Sequence, residues 1–575
     1  MMKLRNRIMS LALSAVAVAG FAGCGGGRQP VGTGSESSNK VTILCTAAVG
    51  QPTTENDPYK QYILDKYDLD VTLVAASDFA TTSQLKFSNT DDMPDIVAFE
   101  NIDSFRTIYN QGVLLSDWTP YLDKMPNFTT IINTPDADRP GEPSIARLML
   151  TEDDGLTALW TLPDPPAWSL KIREDWANEY RQAPAGENYP AGATATNGGP
   201  WQPNTPDDLL HFARWIKANK GSDCYAFSTA GGQTDFGVLG TWIPLMYGAV
   251  CQLPWGIYFD ENNNVDFGIT DGTEKLMLDF IRTIHQEELI EPNWYYQDAS
   301  QKTSRAGKIG IEWYTGEISE TMQGYFNHKA EAEGTTPVDT TDWWKTYPVP
   351  KDPTRPYGGF QPSDGFLGTI ITVSVKAAND DAKMEKIIAF LDDLAMTKTV
   401  NENGETVYNR SAGYDALRWG IGIEDSLAFQ TIENTNRVYL YTGEEGVETR
   451  AYRADYPGAW DWGMFFRSKD DGVVQGTSNQ TVTKIVNKVI EHDATTANFT
   501  RRLQYGGVLK LDSSTISTLT KKMQAFEYAY VTTKGWDANK LQEEYNKFVA
   551  DWKKSGGDAL LVEAAKQFRN YGWIS

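Results

Sequence analysis

Apolar and polar residues alternate along the first part of the chain in a pattern that predicts strands and helices in turn. Residues 41–49, VTILCTAAV, form a continuous apolar run of the kind shown by a strand buried on both faces. PYKQYILDKYD follows as a helix with Pro58 at its start, and LDVTLVA at 69–75 is a second strand. Asp78 to Phe87 forms the next helix, DIVAFE at 95–100 the third strand, and Asn101 caps a helix through Tyr109 that Gly112 closes. This alternation predicts a parallel sheet covered by helices, with ligand at the loops leaving the carboxyl ends of its strands.

After LSDWTPYLDK the prolines and glycines of TLPDPPAW and AGENYPAGATATNGGPWQPN interrupt every sustained element except a short helix near Ile172–Tyr180. Regularity returns at Thr205, which caps a helix with Pro206 first, Asp207 and Asp208 in the first turn, and Leu209, Phe212, Ala213 and Ile216 on one face. YFDENNNVDFGI at 258–269 is a turn between short strands. Asp260, Asn262, Asn264, Asp266 and Asp271 fall at several oxygen-ligand positions of a calcium loop, but Val265 stands where such a loop turns on glycine, so an Asn-rich hairpin is expected. Residues 273–288 make an amphipathic helix. KIGIEWYTGEISETMQGYF at 308–326 is a strand that delivers Trp313 and Tyr314 to a glycine turn before a helix. TIITVSV at 369–375 is a later strand, followed by a helix over 380–396 and a hairpin around Asn403 and Gly404. The tail is helical over 477–491, 514–530, 537–552 and 558–571.

The amino terminus carries a different pattern. Lys3, Arg5 and Arg7 precede an uncharged run from Ile8 to Gly23, which ends at Cys24 and three glycines. That is the plan of a secretory signal, residues 1–23, and it resembles the lipobox of bacterial lipoproteins, whose cysteine becomes the lipidated first residue. Ala22 and Gly23 fit; Phe21 is bulkier than the aliphatic residue usual there. The apolar run is shorter than the roughly 20 residues that span a bilayer. Cys24 to residue 39 then reads as a lipidated cysteine and a Gly/Ser-rich tether.

The net charge of −24, which becomes −27 without Lys3, Arg5 and Arg7, disfavours nucleic acid and anionic membrane as partners. Four cysteines make no disulfide framework; with Cys24 lipidated, Cys224 and Cys251 can pair, or they and Cys45 stand as free thiols. Histidines 211, 285, 328 and 492 lack ligand spacing, so neither a metal nor a cofactor is expected. No nucleophile elbow, Walker loop, dinucleotide loop or H-E-x-x-H sequence occurs, which argues against an enzyme, although paired glycosidase carboxylates are recognisable only in space. The 18 tryptophans leave rings enough to line a cleft. Rings stack on the C–H faces of sugars, while Asp, Asn and Glu take the hydroxyls.

QLKFSNTDDMPDIVAFENIDSFRTIYNQGVLLSDWTPYLDK, AWSLKIREDWANEY with NTPDDLLHFARWIKAN, IRTIHQEELIEPNWY, GKIGIEWYTGE, VYNRSAGYDALRWGI and WDANKLQEEYNKFVADWKKSGG together resemble the family 1 extracellular solute-binding proteins of ABC importers, particularly the large carbohydrate-type lipoproteins. The resemblance covers nearly all of 40–572, interrupted at 180–200 and 435–476. Relatives often carry a calcium loop after the TPDD-like helix, where this chain has KANKGSDCYAFST without a dense run of ligands. It implies a bilobed α/β fold of the periplasmic-binding-protein type II class, with mostly parallel sheets and a helical carboxyl-terminal region. Lobe 1 would come from about 40–165 with part of 300–370, and lobe 2 from about 170–300 with most of 375–572.

The resemblance further implies a monomeric receptor held by Cys24 on the outer face of the bacterial cytoplasmic membrane. Such a receptor captures an oligosaccharide between its lobes and delivers it to an ABC permease. A binder of peptides or another small polar solute is the alternative, followed by a glycan-active surface enzyme or an adhesive lipoprotein. In matching context Trp313 is the sugar-stacking candidate with Tyr314 beside it, and Glu100 and Asn101, after the first-lobe PDI strand, take hydroxyls. Trp160, Trp242 and Trp255 are wall candidates, and Asp364 is a polar candidate at the DGFLG turn. Trp460 and Asp461 enter on the loop character of YRADYPGAWDWGMFF alone.

Overall fold

The computed structural model describes residues 39–47, 57–90, 92–136, 141–152, 155–163, 168–191, 200–229, 236–292, 294–296, 306–315, 318–340, 342–355, 358–359, 366–402, 406–419, 421, 429–431, 438–440, 462–463, 465–466, 473–474 and 505–575. The strands that organise it are, in chain order, β1 (Lys40–Thr46), β2 (Asp70–Ala76), β3 (Ile96–Phe99), β4 (Leu159–Trp160), β5 (Trp168–Arg173), β6 (Tyr225–Phe227), β7 (Tyr258–Phe259), β8 (Val265–Asp266), β9 (Ile309–Thr315), β10 (Trp344–Tyr347) and β11 (Ile370–Val373).

Two sheets divide the described residues into two lobes. In the first, the order is β2-β1-β3-β11-β4. β2, β1 and β3 are parallel, and β11 lies antiparallel between β3 and β4. The apolar runs behind β1 and β3 are explained by burial on both faces: Ile43, Phe99, Phe105, Trp118, Phe128 and Phe390 share one core. Asp95, at the start of β3, knits this lobe together. Its carboxylate accepts from the Thr42 backbone N–H at 2.8 Å and from Lys383 Nζ at 3.0 Å, and its carbonyl accepts from the Ser374 N–H at 3.0 Å.

The second sheet, of order β10-β5-β9-β6, is mixed. β9 runs parallel to β6 and antiparallel to β5, which in turn pairs antiparallel with β10. Its core gathers Ile172, Phe212, Trp242, Ile281, Trp313 and, from the tail, Tyr530 and Trp552. The helices Ser513–Thr532, Ala538–Trp552 and Asp558–Asn570 stand where the tail pattern predicts; the expected helix at 477–491 lies outside the described residues.

Most elements stand where the pattern predicts them. Asn101 Oδ1 accepts from the Ser104 N–H at 2.8 Å, and Thr205 with Asp208 closes a capping box. β7 and β8 form the Asn-rich hairpin, with Asp260 accepting from the N–H groups of Asn262 and Asn264 and Asn263 in the left-handed region at φ 66°. Cys45, Cys224 and Cys251 are free thiols.

Two expectations are corrected. Residues 168–173 are a strand, and the helix starts only at Glu174. Buried polar residues hid it: Ser169, Lys171 and Arg173 are all enclosed, and the Arg173 guanidinium lies 4.3 Å from the Trp176 ring and 4.0 Å from the Trp343 ring. The division of segments is also different. β9 and β10 belong to the second lobe, whereas β11 and the helix Asp381–Leu394 belong to the first, because β11 closes the first sheet between β3 and β4.

The chain passes between lobes after β4 and returns before β11, and the two passages touch. Thr161 N–H donates to the Thr369 carbonyl at 2.9 Å, Gly368 N–H donates to the Thr161 carbonyl at 2.9 Å, and Thr369 N–H donates to Thr161 Oγ1 at 2.8 Å. A Cβ at Gly368 would stand 2.4 Å from the Leu162 carbonyl oxygen and 2.4 Å from Thr161 Oγ1. Only glycine lets the passages lie this close. Gly368→Ala is therefore expected to cost about 1–3 kcal/mol, the usual range for overpacking. An unchanged urea midpoint would show that the two passages separate without cost.

Candidate functional site

The register of the sheets sets out the edges from which a site can be built. Phe99 at the end of β3 pairs with Ile370, which pairs with Trp160 at the end of β4. Glu100 and Asn101 follow directly, so Trp160, Glu100 and Asn101 share the carboxyl edge of the first sheet. Glu100 and Asn101 are exposed there, while Trp160 is turned into the first core. On the second sheet, Tyr314 and Thr315 at the end of β9 pair with Ser169 and Trp168. Trp160 thus ends β4 at the edge of the first sheet, and Trp168 begins β5 at the edge of the second.

The two predicted aromatics on β9 point to opposite faces, as neighbours on a strand must. Trp313 is 5% exposed and lies parallel to Trp242, with planes 11° apart and centroids 6.1 Å apart, inside the second core. Tyr314 instead meets Trp168 edge to face at 6.4 Å. Trp168 is 37% exposed, and it is a ring that the sequence reading passed over because it ends the proline-rich TLPDPPAW.

A cavity of about 270 Å³ opens between the lobes. The first lobe contributes Asp103, in the first turn of the helix Ile102–Tyr109. The segment 251–255 contributes Gln252 and Trp255, and the tail helix Ser513–Thr532 contributes Thr520, Gln524 and Glu527. Phe236, Met277 and Met523 supply apolar wall. Trp255 packs against the first core although its segment belongs to the second lobe. A Cβ at Gly507 would stand 2.1 Å from its ring, so this glycine makes room for the indole. Arg106, one turn beyond Asp103, reaches the carbonyls of Gly507 and Leu509 at 3.5 Å each.

Behind the wall lies an acidic pair. Glu274 is fully enclosed, and neither of its oxygens meets an N–H or hydroxyl donor among the described residues; its carboxyl faces Glu527. Burial first, then the Glu527 charge, pushes the Glu274 carboxyl well above the ordinary glutamate value. Burial also pushes the Cys251 thiol up. His285 has no such setting: it accepts from the Trp294 indole N–H at 3.2 Å, and burial lowers its pKa. Among the described residues no group of three or more His, Cys, Asp or Glu is placed to hold a metal ion.

Of the expected site residues, Trp255 lines the cavity, and Glu100 and Asn101 lie a few residues from Asp103, which lines it. Trp160 sits in the first core, and Trp242 and Trp313 in the second. Asp364, Trp460, Asp461 and Cys24 lie outside the described residues. Trp462, two positions after Trp460, is fully buried and donates its indole N–H to Asp57. The cavity residues Asp103, Gln252, Thr520, Gln524 and Glu527 were missed. A signal existed for the last three: positions 520, 523, 524 and 527 form one stripe of a helix, and polar groups interrupt it where a packing face should be apolar.

No family model matches the chain, and no curated protein matches it in sequence. Solved structures do match its fold. A solute-binding protein from Bifidobacterium longum infantis, described as HMO binding and ABC-transporter associated, aligns with TM-score 0.62 at 14% identity, covering 92% of this chain and 99% of that one. An EF-hand mutant of the ABC-transporter substrate-binding protein FusA from S. pneumoniae, in complex with fructo-nystose, gives TM-score 0.61 at 13% identity, with 93% and 99% covered. The alginate-binding protein AlgQ2, solved without calcium ion, gives 0.56 at 12% identity, with 92% and 98% covered. The chain therefore has the bilobed α/β fold of these solute-binding proteins over nearly its whole described length.

The acidic pair gives a pH dependence with a definite sign. A carboxyl whose folded pKa is raised favours folding while it stays protonated, so its contribution is complete below the ordinary glutamate value and is lost as pH rises through the raised one. Glu274→Gln removes that titration. The variant is expected to gain about 1–3 kcal/mol over the parent at pH 8, the cost of an unmet buried polar group, and to gain little at pH 4. A stability difference that stays constant across this range in thermal melts would show that Glu274 is not protonated in the folded protein.

Proposed function

We propose that this chain is an extracellular solute-binding receptor that captures an oligosaccharide between its lobes and delivers it, chemically unchanged, to an ABC permease. The observation that carries this reading is a cavity walled from both lobes, with Asp103 on one side and Trp255 and the tail helix on the other. A ring beside amide, hydroxyl and carboxylate groups is what a sugar needs: one apolar face and several hydroxyl partners. Fold neighbours described as HMO-binding or in complex with fructo-nystose support the same ligand class. Trp168 and Tyr314 at the second sheet's edge, with Glu100 and Asn101 at the first, extend the site toward a chain longer than one sugar unit. Trp313 and Trp242 act by bracing that edge from within.

Ligand that binds the folded state raises its stability. Thermal melts against neutral, amino and uronic oligosaccharides are expected to show a shift with at least one sugar class, and Trp255→Ala should weaken its binding by about 1–3 kcal/mol, the range for a buried aromatic anchor. Shifts with peptides and with no sugar would replace the carbohydrate reading by a peptide one.

The anchor rests on residues 1–24. Among the described residues no helix is long and apolar enough to cross a membrane. Attachment to the outer face of a bacterial cytoplasmic membrane is assigned to lipid on Cys24, with residues 25–39 as the tether. Mass measurement of the mature amino-terminal peptide should find a diacylated Cys24 as its first residue. A peptide that keeps residues before Cys24, or starts after it, would remove the anchor.

A further inference from the structure

Residues 505–510 cross between the two cores: Val508 is buried in the first and Leu509 in the second. This crossing is fitted closely onto the segment that carries Trp255. A Cβ at Gly506 would stand 2.4 Å from the Pro254 carbonyl oxygen and 2.8 Å from that of Trp255, and one at Gly507 would stand 2.1 Å from the Trp255 ring. One glycine thus lies on the backbone of that segment and the next on its indole, so the ring cannot tilt toward the crossing without displacing it. On its other side the crossing is gripped from the first lobe. The Arg106 guanidinium reaches the Leu509 carbonyl through Nη1 and the Gly507 carbonyl through Nη2, each at 3.5 Å. Two acceptors on one planar fork fix the direction of the turn as well as its distance. Arg106 has a firm base, because Ile102, Phe105 and Ile108 seat its helix in the first core, with Phe105 edge to face on Phe99 at 5.6 Å. The crossing is then secured to both lobes at Lys510. Its side chain donates to the Thr151 carbonyl of the first, while its N–H and carbonyl pair with the Gln567 side chain of the second at 2.8 and 2.9 Å.

We infer that Arg106 is a positioning residue for the cavity: through the carbonyls of Gly507 and Leu509 it sets, from the first lobe, the place of the Trp255 ring that faces the ligand space. The inference rests on the reading of that cavity as the saccharide site and deepens it, naming a residue that holds the ring rather than one that touches ligand. The same helix brings Asp103, one turn earlier, into the cavity lining. Acid and ring on opposite walls are thereby tied to one rigid element, and their spacing is fixed before ligand arrives. A wall fixed in this way spares binding the cost of ordering it.

The test observes Trp255 directly. The full chain is labelled with 5-fluorotryptophan, and its fluorine resonances for Trp255 and Trp313 are assigned with Trp255→Phe and Trp313→Phe. Gly507→Ala, which puts a methyl group against the indole, calibrates the shift of a displaced ring. Arg106→Met is expected to move or split the Trp255 resonance by more than its linewidth and to leave that of Trp313, inside the second core, where it stands. Arg106→Lys reaches one carbonyl at a time and should move the Trp255 resonance by less. Each neutral, amino or uronic oligosaccharide that raises the melting temperature of the parent should bind Arg106→Met several-fold more weakly, with Arg106→Lys in between. A Trp255 resonance that stays in place in Arg106→Met, or moves only together with that of Trp313, would overturn the positioning role, as would unchanged saccharide affinity. If Arg106→Met fails to fold, Arg106→Lys carries the test, and an unmoved Trp255 resonance there overturns the role equally. No melting shift with any sugar in the parent would sink the oligosaccharide reading instead, and the fluorine spectrum would still decide what Arg106 does.

Discussion

The architecture depends on the contact between two backbone segments, residues 161–163 and 366–369. A chain that builds two lobes from non-contiguous pieces must pass between them, and each passage exposes backbone groups that need partners. Here the passages satisfy one another through Thr161, Gly368 and Thr369. Their pairing continues that of β4 with β11, so the first sheet extends without a break into the connection. The position of everything on the two sheet edges follows from this. Trp160 and Trp168 are placed at either end of one passage, and Tyr347 and Ile370 at either end of the other.

Much of the fold was legible because its elements obey local rules. Asp57, Asp78, Asn101, Thr205, Asp380, Asp512 and Asp537 all cap the helices that follow them with side-chain hydrogen bonds, and such caps are readable in sequence. The apolar runs of β1, β3 and β11 announced buried strands for the same local reason. β5 was not legible because its partners are distant. Lys171 lies across from Glu312 and donates to Thr346 at 2.7 Å, so charged residues occupy a strand that has neighbours on both sides. Lobe membership was hidden for a related reason: whether β11 or β9 completes the first sheet is decided by pairing across hundreds of residues, which no local pattern encodes.

The site was less legible than the fold. Tryptophans were chosen as candidates because rings suit sugars, but rings also suit cores, and only burial separates the two uses. Trp160, Trp242 and Trp313 lie in cores, whereas Trp255 lines the cavity and Trp168 keeps part of its ring in solvent. The polar side of the cavity comes from three places far apart in sequence: position 103, segment 251–255 and the 520–527 stripe. Each alone looks ordinary, an acid in a first helical turn or a glutamine on a tail helix. They acquire meaning only when the tail helix returns to pack beside the helix Thr273–Gln286.

That packing also explains how the protein tolerates Glu274, an enclosed acid whose oxygens meet no N–H or hydroxyl donor among the described residues. The helices Thr273–Gln286 and Ser513–Thr532 are joined by Tyr530, whose hydroxyl donates to Asp279 at 2.5 Å, and by Arg282, which donates to the Tyr530 carbonyl at 2.5 Å. Between them Met277, Leu278, Leu519, Met523 and Val531 are all buried. Each such side chain contributes about 1.5–3 kcal/mol, so together they outweigh the about 1–3 kcal/mol lost at an unmet carboxyl. Turning Glu274 out to solvent would require its helix to rotate and expose Leu278 and Ile281, which costs more than leaving the acid where it is. The local violation is therefore held in place by the surrounding core, and violations held in this way gather where a structure serves something other than its own stability. The cavity beside Glu527 is such a place.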